Sequence, residues 1–350
     1  MSFGITESTL RFQKISEISH EGLNSEVYLA HDQQFNANLV IKQISKTVFS
    51  DPSEFFDEAT RLYSAEHPYV VRLNYATQDA NNVYLAMPYY ENGSINKLIN
   101  SRFLTVKEVL RYAIHFLIGV NNIHYKKLIH FDIKPDNILL SDNDEAMVSD
   151  FGLARNMNAW GIASQDFVYR HHTPPEYFSS SDHDMTYDIY QAGVTLYRMC
   201  NGNDVYNQQK LAYSDLTKLQ SAIKSGKFPN RNYFLPHIPK SLRRSIKKAM
   251  STDPNKRFAT ALDFMNDLNS VTTFLNWQYS TAANGHTWIL NNSDKHIEVN
   301  VKPNGRLYNI ETYKTVLASG NKTKVTSGWL KNITNAEIEN HAQTIFASYE

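Results

Sequence analysis

The residues best suited to chemistry lie in one short run, His130-Phe131-Asp132-Ile133-Lys134-Pro135-Asp136-Asn137-Ile138-Leu139-Leu140, with Asp150-Phe151-Gly152 opening ten residues after its end. An Asp, a Lys two positions later and an Asn five positions later precede a hydrophobic strand pattern and then a second Asp. The spacing turns two carboxylates, an amide and an ammonium toward one site. Such groups can orient a hydroxyl, hold Mg2+ and neutralise a phosphoryl group in transfer. A polar loop with incidental acids would not be expected to show this order.

In these residues the chain resembles the protein kinase family, whose catalytic loop reads H-R-D-x-x-x-x-N and whose metal motif reads D-F-G. The resemblance covers roughly residues 12 to 270 and implies a eukaryotic-like (Hanks-type) serine/threonine kinase that passes the γ-phosphate of ATP to a protein hydroxyl. It implies that Asp132 orients the hydroxyl and accepts its proton, that Lys134 offsets phosphate charge, and that Asn137 and Asp150 hold Mg2+, or Mn2+ in its place. His130, Phe151 and Gly152 belong to the same motifs as structural members. Lys42, in Leu39-Val40-Ile41-Lys42, matches V-A-I-K and would hold the α/β-phosphates. Glu58 stands where the family carries that lysine's partner, and Glu54, one helical turn earlier, is the alternative. Pro174-Pro175-Glu176 replaces A-P-E, Asp188 opens a long hydrophobic helix, and Arg257 in DPNKRF takes the position that pairs with Glu176; these read as architectural. In VYLAMPYYENGS, Met87 would guard the back of an adenine pocket. Pro88 would offer its carbonyl there and Tyr90 its backbone N–H. Lys134 favours serine or threonine over tyrosine as acceptor.

The chain departs from the family pattern in three places. Counting back from Val27, G-x-G-x-x-G-x-V falls on His20, Gly22 and Ser25, so Gly22 alone keeps the conformational freedom that close phosphate approach asks for. Phe131 replaces an arginine that receives an activation-segment phosphate in many family members, and phenylalanine cannot do so. The chain is therefore expected not to be switched on mainly by phosphate on its activation segment, at Ser164, Tyr169 or Thr173, but to be constitutively competent or controlled by its tail or a partner. Tyr169 takes a substrate-platform position usually held by threonine. The degenerate glycine loop keeps a rival reading open, a pseudokinase scaffold that presents its C-terminal region to a partner.

The resemblance implies an α+β fold of two lobes, with a small β-rich N-lobe over 1–90 and a mostly helical C-lobe over 91–272, followed by a small α+β appendage over 276–350. In the first part SEVYLAHD, ANLVIKQI, YVVRLNYATQ and NVYLAMPYY read as strands around a helix from Asp51 to Ala65, with Pro52 in its first turn. Apolar spacing of three and four predicts helices in VKEVLRYAIHFLIGVNNIHYKK, YDIYQAGVTLYRMC, SLRRSIKKAM and TALDFMNDLNSV. In the tail, HTWIL, HIEVNVK and RLYNIETYK flank Asn284-Gly285 and Asn304-Gly305, which are hairpin signals, and Asn335 to Tyr349 reads as helical. Trp277, Trp288, Trp329 and Tyr308 are expected in that unit's core rather than stacked on bases. His171-His172 and His183 lack the acid or thiol that would complete a metal site.

Charge and composition narrow the partners. The chain of 350 residues has 35 basic and 35 acidic side chains, and residues 271–350 carry 7 and 6 of them. Neither the whole nor the tail has the basic surface that nucleic acid or an anionic membrane would attract. The expected partners are a protein substrate carrying Ser or Thr and a binding partner for the tail. The one cysteine, Cys200, excludes an internal disulfide and reads as a buried hydrophobe. MSFGITESTLRF lacks the pattern of an export signal, and the longest apolar stretch, Ala113 to Val120, is interrupted by His115. The expectation is a cytoplasmic protein.

Overall fold

The computed structural model describes residues 10–22, 25–165, 170–213, 215–282 and 285–350. A five-stranded antiparallel sheet comes first, built from β1 (Phe12–Gly22), β2 (Ser25–Asp32), β3 (Ala37–Ser45), β4 (Tyr75–Gln78) and β5 (Asn82–Pro88) in the order β1-β2-β3-β5-β4. Alternation buries Leu39 and Ile41 of β3 against Ala30 and Ala86, while Ile44, Val83 and Leu85 form a second cluster on the side of α1 (Asp57–Ser64). The helix expected from Asp51 to Ala65 is broken. A 3-10 turn at Pro52–Glu54, capped by Asp51, is separated from α1 by Phe55 and Phe56, and the break lets both rings pack on that second cluster. The run YVVRLNYATQ is likewise a strand only from Tyr75. Its first half leaves the sheet, where Val71 N–H donates to Val148 O (2.8 Å) and Val148 N–H to Tyr69 O (3.0 Å). This exchange ties the sheet to the helical lobe.

The helical lobe holds α2 (Ile95–Ser101), α3 (Val106–Tyr125), α4 (Thr186–Asn201), α5 (Asn203–Leu211), α6 (Leu216–Lys224), α7 (Lys240–Ala249) and α8 (Ala261–Leu268). Thr105 and Glu108 form a reciprocal capping box at the start of α3, and α4 is buried along nearly its whole length. Between α3 and α4 run the short pairs β6 (Leu128–Ile129) with β9 (Arg155–Asn156), β7 (Ile138–Leu140) with β8 (Ala146–Val148), and β10 (Ala163–Ser164) with β11 (Asp182–His183). The loops between these pairs carry the reactive motifs.

After α8 an antiparallel sheet forms from β12 (Gln278–Ala282), β13 (Gly285–Asn291), β14 (Lys295–Asn304), β15 (Leu307–Val316), β16 (Lys322–Lys324) and β17 (Leu330–Ile333), followed by α9 (Asn335–Ala347). At Asn304-Gly305 the expected hairpin is present, Asn304 pairing with Leu307 and Gly305 taking φ +63°. Asn284 lies outside the described residues, although β12 and β13 pair directly on either side of it. Trp277 and Trp288 are buried and Tyr308 packs against the same core, whereas Trp329 is only half-buried, with the Lys324 ammonium 3.8 Å above its ring. The apolar core of this sheet is continuous with that of the helical lobe. Among the described residues no helix is long and apolar enough to cross a membrane.

Candidate active site

β3 sets Lys42 directly opposite Val27 of β2 and Leu85 of β5. From there Lys42 Nζ donates to Glu58 Oε1 of α1 at 2.7 Å and to Asp150 Oδ1 at 2.8 Å. Burial alone would lower the Lys42 pKa, but the carboxylates of Asp150 and Glu58 more than reverse it, so the ammonium is held charged. The same pair works in the other direction on Asp150. Burial would raise its pKa, yet Lys42 keeps it well below the usual carboxylate range. Glu54, the alternative partner, instead accepts from Ser50 N–H at 3.2 Å. Asp150 has φ +62°, and a Cβ on Gly152 would stand 3.3 Å from both Asp150 Oδ1 and Lys42 Nζ, so glycine leaves this cradle open.

The second half of the site is the loop between β6 and β7. Asp132 Oδ2 accepts from Lys134 Nζ (2.9 Å) and Asn137 Nδ2 (2.7 Å), while its Oδ1 is buried without a hydrogen-bond partner. Burial raises the Asp132 pKa and the nearby Asp150 adds to this, against the opposing pull of Lys134. Both protons of the Asn137 amide are committed, one to Asp132 O at 3.0 Å and one to Oδ2, which leaves its oxygen as the atom to offer a cation. His130 is fully buried; its Nδ1 accepts from Asp132 N–H (3.3 Å), so its Nε2 donates to Ser149 O (3.1 Å), and its ring meets Phe151 edge-on at 5.0 Å.

The loop is anchored from below by α4. Asp188 Oδ2 accepts from His130 N–H (2.9 Å) and His124 Nε2 (2.8 Å), and its Oδ1 accepts from Phe131 N–H (2.9 Å). Two residues absent from the sequence reading extend this ladder. Gln191 accepts from Ile133 N–H (3.0 Å) and donates to Phe131 O (2.8 Å), and Thr195 Oγ1 donates to Ile133 O (3.4 Å). Gln191 lies three residues after Asp188 and Thr195 four after Gln191, which places all three on one helical face, a signal hidden among the apolar residues of YDIYQAGVTLYRMC. Arg257 Nη1 and Nη2 clasp the two oxygens of Glu176 at 2.6 Å each, and Arg257 also donates to Thr186 O and Ser251 O at 2.9 Å.

The other sequence candidates lie around this centre. Gly22 and Ser25 pair across β1 and β2, and Met87 and Pro88 end β5 opposite Val40 and Leu39. Tyr90 follows that strand, its carbonyl accepting from Gly93 N–H at 3.0 Å. Tyr169 lies outside the described residues. His171, His172 and His183 do not assemble: His172 Nε2 faces Arg198 Nη1 at 3.0 Å, while His183 packs among Phe131, Tyr177 and Tyr187. Among the described residues no three His, Cys, Asp or Glu side chains form a metal cage. Asp150 and the Asn137 oxygen would offer a hard divalent cation one carboxylate and one amide oxygen, so such an ion would need further oxygen ligands from outside the chain. Mg2+ behaves in that way.

Residues 13–268 match the protein kinase domain family. A probable serine/threonine-protein kinase of Clostridium perfringens is 32% identical over 264 residues, which cover 72% of this chain and 37% of that protein. Serine/threonine-protein kinase PrkC of Bacillus subtilis is 27% identical over 267 residues (74% of this chain, 40% of PrkC), and mouse Nek5 is 26% identical over 246 (69% and 38%). The chain thus spans about two fifths of the length of these relatives.

Proposed function

The chain belongs to the protein kinase family, and from that premise we propose that it transfers the γ-phosphoryl group of ATP to a serine or threonine hydroxyl of a protein, with Mg2+ as the cation. The observation that carries this reading is Lys42 bound at once to Glu58 and Asp150, with Asp132 held by Lys134 and Asn137 across the same opening. Lys42 then offers its charge to phosphates. Asp150 and the Asn137 oxygen hold the cation, which on binding supplies charge neutralisation at the transferring group. Asp132 Oδ1, buried and unpartnered, receives the proton of the acceptor hydroxyl, and Lys134 steadies the carboxylate that does so. Val27, Met87 and the backbone at Pro88 and Tyr90 are the surfaces left for the adenine.

Among the described residues the segment after Asp150 packs on Phe131, which stands where many family members carry a phosphate-receiving arginine. Phe131, wholly buried with φ +66°, meets Tyr187 at 4.9 Å and His183 at 6.0 Å, and Ala163, Leu153, Met157 and Tyr177 complete the cluster. Ser164 is exposed, but its hydroxyl donates to Asp182 Oδ1 at 2.5 Å, so a phosphate there would meet a carboxylate; Thr173 is buried. On this reading phosphate at Ser164 or Thr173 is not the main switch, and the chain is constitutively competent or controlled by its tail or a partner. A lone buried Cys200, whose thiol pKa burial pushes up, suits the reducing cytoplasm.

Incubating the purified chain with labelled ATP, Mg2+ and a generic substrate, beside Asp150→Ala, tests the reading. Label on the substrate or on the chain, lost in the variant, is expected. Nucleotide binding without any transfer would instead favour the scaffold that a loop retaining only Gly22 suggests. Prior phosphatase treatment should leave the rate within about twofold, an allowance far below the 10³–10⁵ changes that charged groups make at phosphoryl-transfer sites; loss of activity restored by phosphate at Ser164, Tyr169 or Thr173 would sink the second claim.

A further inference from the structure

We propose that the surface beside Asp132 selects an acceptor hydroxyl whose neighbouring substrate residue is anionic, with Lys210 as the cation that reads it and Arg198 as the positioning residue that withdraws Asp136 from that task. The inference rests on the phosphotransfer reading above. Asp136 lies four residues after Asp132 in the same loop, and its carboxylate is 23% exposed. Left alone it would recruit basic substrate residues. Arg198, from the last turn of α4, prevents this by placing Nη1 3.6 Å from Asp136 Oδ2.

The guanidinium is fixed in that position. Nε and Nη2 donate to Asn203 Oδ1 (3.0 and 2.8 Å), Nη2 also to Asn96 Oδ1 (2.7 Å), and Nη1 to His172 Nε2 (3.0 Å). Acceptance from Arg198 requires neutral His172, and burial together with Arg198 keeps its pKa well below the ordinary value. With its N–H groups committed, Arg198 is a counter-charge for Asp136 and not a free site for substrate. Tyr206 of α5 lies under the guanidinium, 5.0 Å from it, and Lys210 follows Tyr206 by one helical turn on the same face. Lys210 is half-buried, and its ammonium makes no hydrogen bond or ion pair among the described residues. Burial and Arg198 lower its pKa, against the pull of Asp136. Arg198 cancels the charge of Asp136, so Lys210 leaves that part of the surface with one positive charge in excess. A carboxylate or phosphate on the substrate complements it.

The test is binding of labelled peptides to the full chain, read by fluorescence anisotropy with a non-hydrolysable ATP analogue present. The peptides share one central serine and differ only in flanking Glu, phosphoserine, Ala or Lys. The Glu or phosphoserine peptide is expected to bind at least about tenfold more tightly than the Lys peptide, in line with the coupling of close charge pairs across interfaces. Lys210→Glu should reverse the order and Lys210→Arg keep it. Arg198→Gln should free Asp136 and shift preference toward the Lys peptide, and adding Asp136→Asn should restore it, which a merely structural arginine would not allow. A phosphoserine advantage over Glu assigns a pre-phosphorylated substrate, and parity assigns an acidic segment. Equal binding of the Glu and Lys peptides, or an unchanged preference in a Lys210→Glu protein that melts like the parent, overturns the proposal. Label transfer from ATP to the same peptides is a separate readout: preference without transfer removes the kinase reading and leaves the anion-reading surface standing.

Discussion

Asp132 presents one oxygen saturated by Lys134 and Asn137 and one buried and bare, which is the asymmetry a proton acceptor needs. Asp132→Ala should lower kcat by about 10³, within the range for a lost general base, while ATP affinity by calorimetry changes little, because Lys42 and Asp150 are untouched. Equal losses in both would contradict the role. Burial raises the Asp132 pKa and Lys134 opposes the rise. A base must be ionised to work, so activity falls as pH drops through that raised value. In Lys134→Met the opposing charge is gone, and the acid limb of the kcat/KM profile is expected to move to higher pH; a shift to lower pH would refute the coupling. At this scale the site was highly legible, because Asp132, Lys134, Asn137 and Asp150 stand in contiguous motifs whose spacing is set by local chain geometry. Glu58 was legible only by distance along a helix, and its reach to Lys42 depends on the break at Phe55 and Phe56 that the sequence pattern did not show.

Elements decide whether those side chains stay in place. The loop from His130 to Ile133 hangs on the Asp188, Gln191 and Thr195 face of α4, four backbone groups of the loop being bonded to Asp188 and Gln191. Asp188→Ala removes the acceptor of two of those N–H groups in a fully buried place, so kcat should fall with the melting temperature, while Gln191→Ala should show a smaller version of both. The clasp of Arg257 on Glu176 fixes the far end of the segment that follows Asp150, with the arginine side chain wholly buried and the glutamate 19% exposed. Glu176→Ala leaves that buried cation without a counter-charge, its bonds to Thr186 O and Ser251 O remaining, and is expected to cost about 3 kcal/mol in chemical denaturation. A loss below about 1 kcal/mol, the worth of a surface pair, would show that the clasp is not what holds the segment. The helices themselves were readable from apolar spacing. What could not be read was which polar residues inside them face the loop, since Gln191 and Arg198 look like ordinary interruptions until α4 is packed under the site.

For the molecule as a whole, the tail was expected as a separate unit, and its strands and final helix were visible in turn signals and alternation, but the surface it covers depends on contacts far apart in sequence. Trp288 Nε1 donates to His237 Nδ1 at 3.2 Å, Tyr279 stacks on His237 at 5.6 Å and meets Phe103 at 4.6 Å, and Arg243 pairs with Glu339 at 2.5 Å. Trp288→Ala should therefore destabilise the helical lobe and the tail together in one calorimetric transition, by about 3–5 kcal/mol for a buried aromatic; two separate transitions would mean the joint is not cooperative. The joint also carries a pH signature. Burial lowers the His237 pKa from 6.5 to about 3, so the folded chain keeps the ring neutral while the unfolded chain protonates it once pH falls below about 6.5. The unfolded state then binds the extra proton, and stability is lost as pH drops from about 6.5 toward about 3, at up to about 1.4 kcal/mol per pH unit for this one group. His237→Leu removes the ring that titrates, at the cost of the acceptor for Trp288. Its denaturation midpoint should start lower at pH 7.5 and fall less steeply on acidification than that of the parent chain. If the two slopes are the same between pH 6.5 and 5, His237 is protonated in the folded chain, and the contact between tail and lobe must rest on the rings and on Arg243 with Glu339.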